Sequence, residues 1–178
     1  MRMMTVAAVL ALAGTALADL DYLGDTTGAP TFNRPDSLSS QSPFATDVAY
    51  EAVQIGVTAD GDYSVLSDQT NFGFLWDGYL LVYQDAFNPA SPLDNLIALN
   101  DDYFGTGLPG TGVGYSGLDA VSMVASSTYY IVVTGFDIGD EGPYQNSISG
   151  PGDVFIVPAP ASLALLGLGG VAAVRRRR

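Results

Sequence analysis

Ionisable chemistry in this sequence is almost entirely carboxylate chemistry. Among 178 residues there are 19 acids, 17 of them Asp, against no His, no Cys and no Lys. The acids gather where the chain turns: Asp60 and Asp62, Asp77, Asp101 and Asp102, then Asp137, Asp140 and Glu141. Carboxylate oxygens are hard ligands of the kind calcium takes, about six to eight at a time. Asp101 and Asp102 directly follow one strand-like run and Asp77 directly precedes another, so neighbouring strand ends would let the three meet. They are the candidate calcium ligands. No stretch has the spacing of an EF-hand loop, so no single loop supplies a full ligand set. The competing reading is local, because Asp is favoured in turns for bonding its own backbone. Paired carboxylates roughly 5–9 Å apart could also hydrolyse glycosides. No Glu stands beside Trp76 or in a similar apolar setting to act as the acid, so no catalytic residue is assigned and the chain is not read as an enzyme.

The missing residue types exclude more. Disulfides, His or Cys metal sites, Ser-His-Asp and Cys-His catalysis and Schiff-base lysines are all ruled out. The six bases are Arg2, Arg34, Arg175, Arg176, Arg177 and Arg178, so the body between the ends carries one arginine against 19 acids, a net −18. Phosphate binding needs clustered Lys or Arg, which excludes nucleic acid as a partner.

The elements that must position the acids are short strands. Period-two alternation recurs along Tyr50 to Val57, Tyr63 to Ser67, Gly78 to Tyr83, Leu96 to Leu99, Ala120 to Val124, Thr128 to Thr134 and Asp153 to Val157, with Phe32 to Arg34 as a short edge strand. Asp60-Gly61 reads as the turn of a hairpin joining the first two runs. Gly105 to Gly117 reads as one long loop. Gly, Asn, Asp and Pro separate the runs at roughly ten-residue spacing, the pattern of an antiparallel β-sandwich. Tyr79 and Tyr83 share one face of their strand, while Tyr129 and Tyr130 face opposite ways. With Trp76 they form either core or an exposed strip able to stack on sugar.

Both ends read as processing segments. Arg2, the apolar run Val6 to Gly14 and Ala16-Leu17-Ala18 before Asp19 have the layout of an export signal cleaved after Ala18. At the other end Pro158-Ala159-Pro160 precedes an apolar run, Ala161 to Val174, and the four terminal arginines Arg175, Arg176, Arg177 and Arg178. As a helix that run spans roughly 21 Å, short of a bilayer core of about 30 Å. That length suits a transient anchor, with the arginine cluster held on the cytoplasmic side. The divisions are then residues 1–18, 19–157 and 158–178.

The tail resembles the PEP-CTERM sorting signal of Gram-negative bacteria. That resemblance implies recognition by an exosortase, a membrane transpeptidase, after transient insertion in the inner membrane. The usual Pro-Glu-Pro is Pro158-Ala159-Pro160 here, without the acidic middle residue. The body resembles a second family. DYSV at Asp62 to Val65, WDGYLLVYQDAF at Trp76 to Phe87, LIALNDD at Leu96 to Asp102 and STYYIVVTGF at Ser127 to Phe136 look like the bacterial pre-peptidase C-terminal domain, over about Tyr50 to Gly152. The resemblance implies a jelly-roll-like β-sandwich with a binding or accessory role, flanked here by a signal helix and a C-terminal apolar helix. It also supports Asp77, Asp101 and Asp102 as the metal ligands. The expected protein is exported to the outer surface or extracellular matrix of a Gram-negative bacterium, where its non-catalytic sandwich binds polysaccharide or another surface component. The alternative is a calcium-stabilised structural module with no ligand of its own.

Overall fold

The computed structural model describes residues 19–73 and 75–158. Among these residues ten strands form in chain order: β1 Leu20–Asp25, β2 Thr31–Phe32, β3 Val48–Val57, β4 Gly61–Asp68, β5 Gly78–Gln84, β6 Leu96–Asn100, β7 Tyr115–Met123, β8 Thr128–Gly135, β9 Pro143–Ser149 and β10 Val154–Ile156. One short 3₁₀ turn, Thr70–Phe72, is the only helical element among the described residues. Every pairing is antiparallel. One sheet has the order β1-β9-β4-β7; the other runs β10-β3-β8-β5-β6, with β2 also on β3.

Side-chain alternation sends each strand of the larger sheet into two cores. Ile55 and Val57, Leu80 and Val82, and Ile131 and Val133 face the smaller sheet, meeting Tyr63, Val65, Val121, Met123, Tyr144 and Ile148. The alternate residues Val48, Tyr79, Leu81, Tyr83 and Val132 pack on the outer face beneath Phe32 and Ala45. Phe87 joins this second core, its ring 4.8 Å from Tyr83 and 5.2 Å from Tyr50. Burial on both faces explains why β5 and β8 read as nearly unbroken apolar runs.

Three local readings of the sequence are corrected. β3 and β4 lie in different sheets, so Asp60-Gly61 is a corner between layers and not a hairpin turn. The glycine-rich stretch is loop only to Gly114, and Tyr115 to Asp119 belong to β7 paired with β4. β1 and β9, unassigned from sequence, pair with each other and complete the smaller sheet. The two flanking helices expected from sequence fall on residues outside those described. No helix among the described residues is long and apolar enough to cross a membrane.

Candidate metal centre

The strand register gathers the carboxylates. β5 and β6 are neighbours, with Leu80 opposite Asn100 and Leu81 opposite Leu99. Asp77, one residue before β5, and Asp101 and Asp102, just after β6, therefore emerge at the same end of the sheet. On the other flank of β5, Gly78 lies opposite Gly135, the last residue of β8. The turn after β8 thus reaches the same place, where Phe136 donates its N–H to the Asp77 carbonyl at 2.8 Å.

One oxygen from each of Asp77, Asp101 and Asp102 lies within 4.8 Å of the others, and all three residues are half-buried. Asp77 Oδ1 and Asp101 Oδ1 are shielded from solvent and have no hydrogen-bond partner among the described residues. An orphaned buried carboxylate oxygen is costly unless something cationic or donating meets it. Burial first, then the charges of Asp77 and Asp102, push the Asp101 carboxyl up to about 6. Asp77 is raised as well, by burial first and then by Asp102 and Asp140.

The surrounding chain is tied down. Ser116 donates to the Gly78 carbonyl at 2.9 Å and Asn100 Oδ1 accepts the Gly117 N–H at 3.1 Å, fixing the ends of β5 and β6 against β7. Tyr103 accepts from the Gly107 and Leu108 amides and donates to the Asp119 carboxylate, which holds the loop after Asp102.

Sequence reasoning missed Arg34, the one base of the body. It is 3 % exposed, with its guanidinium 3.8 Å from the Tyr79 ring centre. Its charge partly offsets the rise at Asp77 and Asp101. Its Nη1 and Nη2 hydrogen bonds go to the Pro35 and Phe136 carbonyls. Nothing in the sequence near Arg34 announces this, because the long segment between β2 and β3 carries it there. Asp140, brought near Asp77 by the turn after β8, was read only as a turn acid.

Of the remaining acids singled out from sequence, Asp60, Asp137, Asp140 and Glu141 hold backbone. Asp60 Oδ1 accepts the Ala125 N–H at 2.8 Å, Asp137 and Asp140 bond amides of their own turn, and Glu141 accepts from Gly28. Trp76, Tyr79, Tyr83 and Tyr129 are buried, so they do not form an exposed stacking strip. Tyr130 stays half-buried.

Of the processing residues, Asp19 is exposed one residue before β1 and Pro158 is exposed two residues after β10. Ala16 and Ala18 of the expected cleavage site lie outside the described residues. So do Ala159, Pro160, Arg175, Arg176, Arg177 and Arg178 of the expected sorting signal.

Residues 157–178 match the family described as the PEP-CTERM protein-sorting motif, beginning one residue before Pro158 and taking in Arg175, Arg176, Arg177 and Arg178. No curated protein matches the chain. Among solved structures, the K3 cleaved adhesin domain of Lys-gingipain from Porphyromonas gingivalis aligns at 11 % identity and a TM-score of 0.33, covering 73 % of this chain and 91 % of that one. A likeness that distant carries no argument about ligand or mechanism. The sequence at the C-terminus, the Pro-x-Pro, apolar run and arginine cluster together with the family match, establishes that residues 157–178 are a PEP-CTERM sorting motif and that the chain is an exported surface protein.

Proposed function

We propose that this surface protein is a non-catalytic β-sandwich module, related to the pre-peptidase C-terminal domain, whose loop end is braced by calcium at Asp77, Asp101 and Asp102. The observation that carries the reading is the pair of buried carboxylate oxygens without partners inside a three-carboxylate cluster. The donor set is all oxygen, hard and anionic, which suits calcium and suits softer metals poorly. Three carboxylates supply part of its coordination, and backbone carbonyls and water would complete it. Bound there, calcium supplies the positive charge that three crowded acids lack and ties the ends of β5 and β6 together.

Polysaccharide binding has less support. Its aromatic strip is core, and Leu75, Phe104, Phe136 and Ile138, each within two residues in sequence of Asp77, Asp102 or Asp137, are large apolar side chains left exposed. The bracing role is therefore placed first, with polysaccharide a partner to be sought at the same loop end. The exosortase is the partner implied by the sorting motif, with the chain passing through the inner membrane on its way to the surface.

Calorimetric titration of the chelator-treated protein with calcium tests the proposal. One site per chain is expected, lost in Asp101→Asn and in Asp77→Asn, while Asp60→Asn binds as the unaltered protein does. Absence of saturable heat, or equal loss in all three variants, would defeat it.

A further inference from the structure

Arg34, the one base of the body, is built into the fold beside the acids. Its backbone is pinned on both sides, the N–H to the Ala45 carbonyl at 3.0 Å and the carbonyl accepting the Ser42 N–H at 2.8 Å. Its guanidinium lies 3.8 Å from the Tyr79 ring centre and 5.3 Å from that of Phe136. Its Nη1 and Nη2 both donate to neutral carbonyls, at 3.0 Å and 2.9 Å, and its Nε is buried without a partner among the described residues. Arginine is always charged in a protein, so a full positive charge is held in place here without a carboxylate taking up its hydrogen bonds.

The sheet register puts that charge against the metal ligands. The bond from the Phe136 N–H to the Asp77 carbonyl continues the β5–β8 ladder past Gly78 and Gly135. Asp77 therefore keeps the alternation of β5 and shares the outer face with Tyr79. On β6, Asn100 stands opposite Leu80, so the next residue, Asp101, comes opposite Tyr79 on the same face. Arg34 rests on the ring that has Asp77 along the strand and Asp101 across it. The Phe136 carbonyl it holds belongs to the residue bonded to Asp77, so the guanidinium cannot swing away without loosening that ladder.

We propose that Arg34 sets the calcium affinity of this site, its fixed charge standing in for the ion when calcium is absent and opposing the ion when it binds. On the reading of Asp77, Asp101 and Asp102 as calcium ligands, on which this role rests, one guanidinium reduces the local charge from −3 to −2, and like charges in a part-buried site repel strongly. Charge is one of the features that tune calcium sites, from about 10⁻⁷–10⁻⁵ M in sensors to about 10⁻⁴–10⁻³ M in extracellular modules. The built-in cation puts this site at the weak end, so that it fills after export and not before. Neutralising Arg34 then has two opposite effects, a less stable metal-free fold and a tighter calcium complex, whereas loss of a merely structural arginine would weaken both.

Calorimetric titration of the chelator-treated full chain with calcium at pH 7.5, joined to thermal unfolding in chelator, tests this. Arg34→Gln and Arg34→Met are expected to melt below the unaltered chain in chelator and to bind calcium about five-fold tighter or more. Arg34→Lys, which keeps the charge, is expected to bind within about two-fold of the unaltered chain. Where a neutral variant is unfolded in chelator, calcium is expected to fold it, and the rise of its midpoint with calcium concentration gives the affinity. Three outcomes would overturn the proposal and leave the calcium site standing: equal or weaker binding in the neutral variants, equal tightening in Arg34→Lys, or a neutral variant that stays unfolded in saturating calcium. An unaltered chain that takes up no calcium would overturn both.

Discussion

Asp101 sets the pH response of the body. Its carboxyl titrates near 6 in the folded chain because burial and two neighbouring acids oppose its charge, whereas an unfolded chain would release that proton near 3.9. The folded state therefore binds more protons between about pH 4 and 6, and without metal its stability falls as pH rises through that window. Asp77, also raised, acts in the same sense. Asp25 acts oppositely, since Thr27 lowers its pKa, but it lies on the surface with its window below 3.8. In chelator, the midpoint of thermal unfolding is expected to rise as pH drops from 7.5 to 5. Asp101→Asn, which removes the charge and keeps the shape, should raise the pH 7.5 midpoint by about 2–4 °C, the shift that ~1 kcal/mol produces at this size, and should flatten the pH response. A midpoint that falls steadily from pH 7.5 to 5, with no gain from the amide, would show that these acids are not crowded. The three acids were legible in the sequence because each borders an apolar strand. Arg34 and Asp140 were not, because tertiary packing alone brings them there.

At the scale of elements, what was legible depended on which face of a strand is apolar. β5 and β8 are buried on both faces and stand out as GYLLVY and TYYIVV. β9 points Tyr144, Asn146 and Ile148 inward, and the polar Asn146 at the central buried position breaks the expected alternation. Its amide nitrogen donates to the Tyr22 hydroxyl at 2.6 Å, while its Oδ1 is buried without a partner among the described residues. β1 inverts the pattern, with Leu23 71 % exposed and Gly24 packed under Tyr144. Glu51 likewise gave no signal, yet its Oε2 accepts both the Asp25 N–H and the Tyr144 hydroxyl at 3.0 Å, linking the two sheets. β10 depends on close approach, since a Cβ placed on Gly56 would run into the Phe155 ring lying over it. Gly56→Val is expected to cost about 1–3 kcal/mol by overpacking. Phe155→Ala in the same chain should recover part of that loss, a coupling that a double-mutant cycle by chemical denaturation would measure. Strictly additive losses would mean that Phe155 does not pack there.

For the whole molecule, the sorting motif follows the fold without a spacer. The motif begins at Val157, directly after β10, and β1 at the other end of the described residues begins at Leu20. Between these ends the body carries a net −18 from one arginine and 19 acids, and self-repulsion of that size opposes compactness unless counter-ions relieve it. Calcium bound at the β5–β6 end would do so where the acids are closest, and a ligand that binds only the folded state stabilises it by mass action. The most direct measurement is thermal unfolding at pH 7.5 in calcium and then in excess chelator at matched ionic strength, for the unaltered chain and for Asp101→Ala. The midpoint is expected to rise with calcium, to saturate, to return on chelation and not to rise in Asp101→Ala. A midpoint that moves only with ionic strength, and equally in both chains, would contradict it.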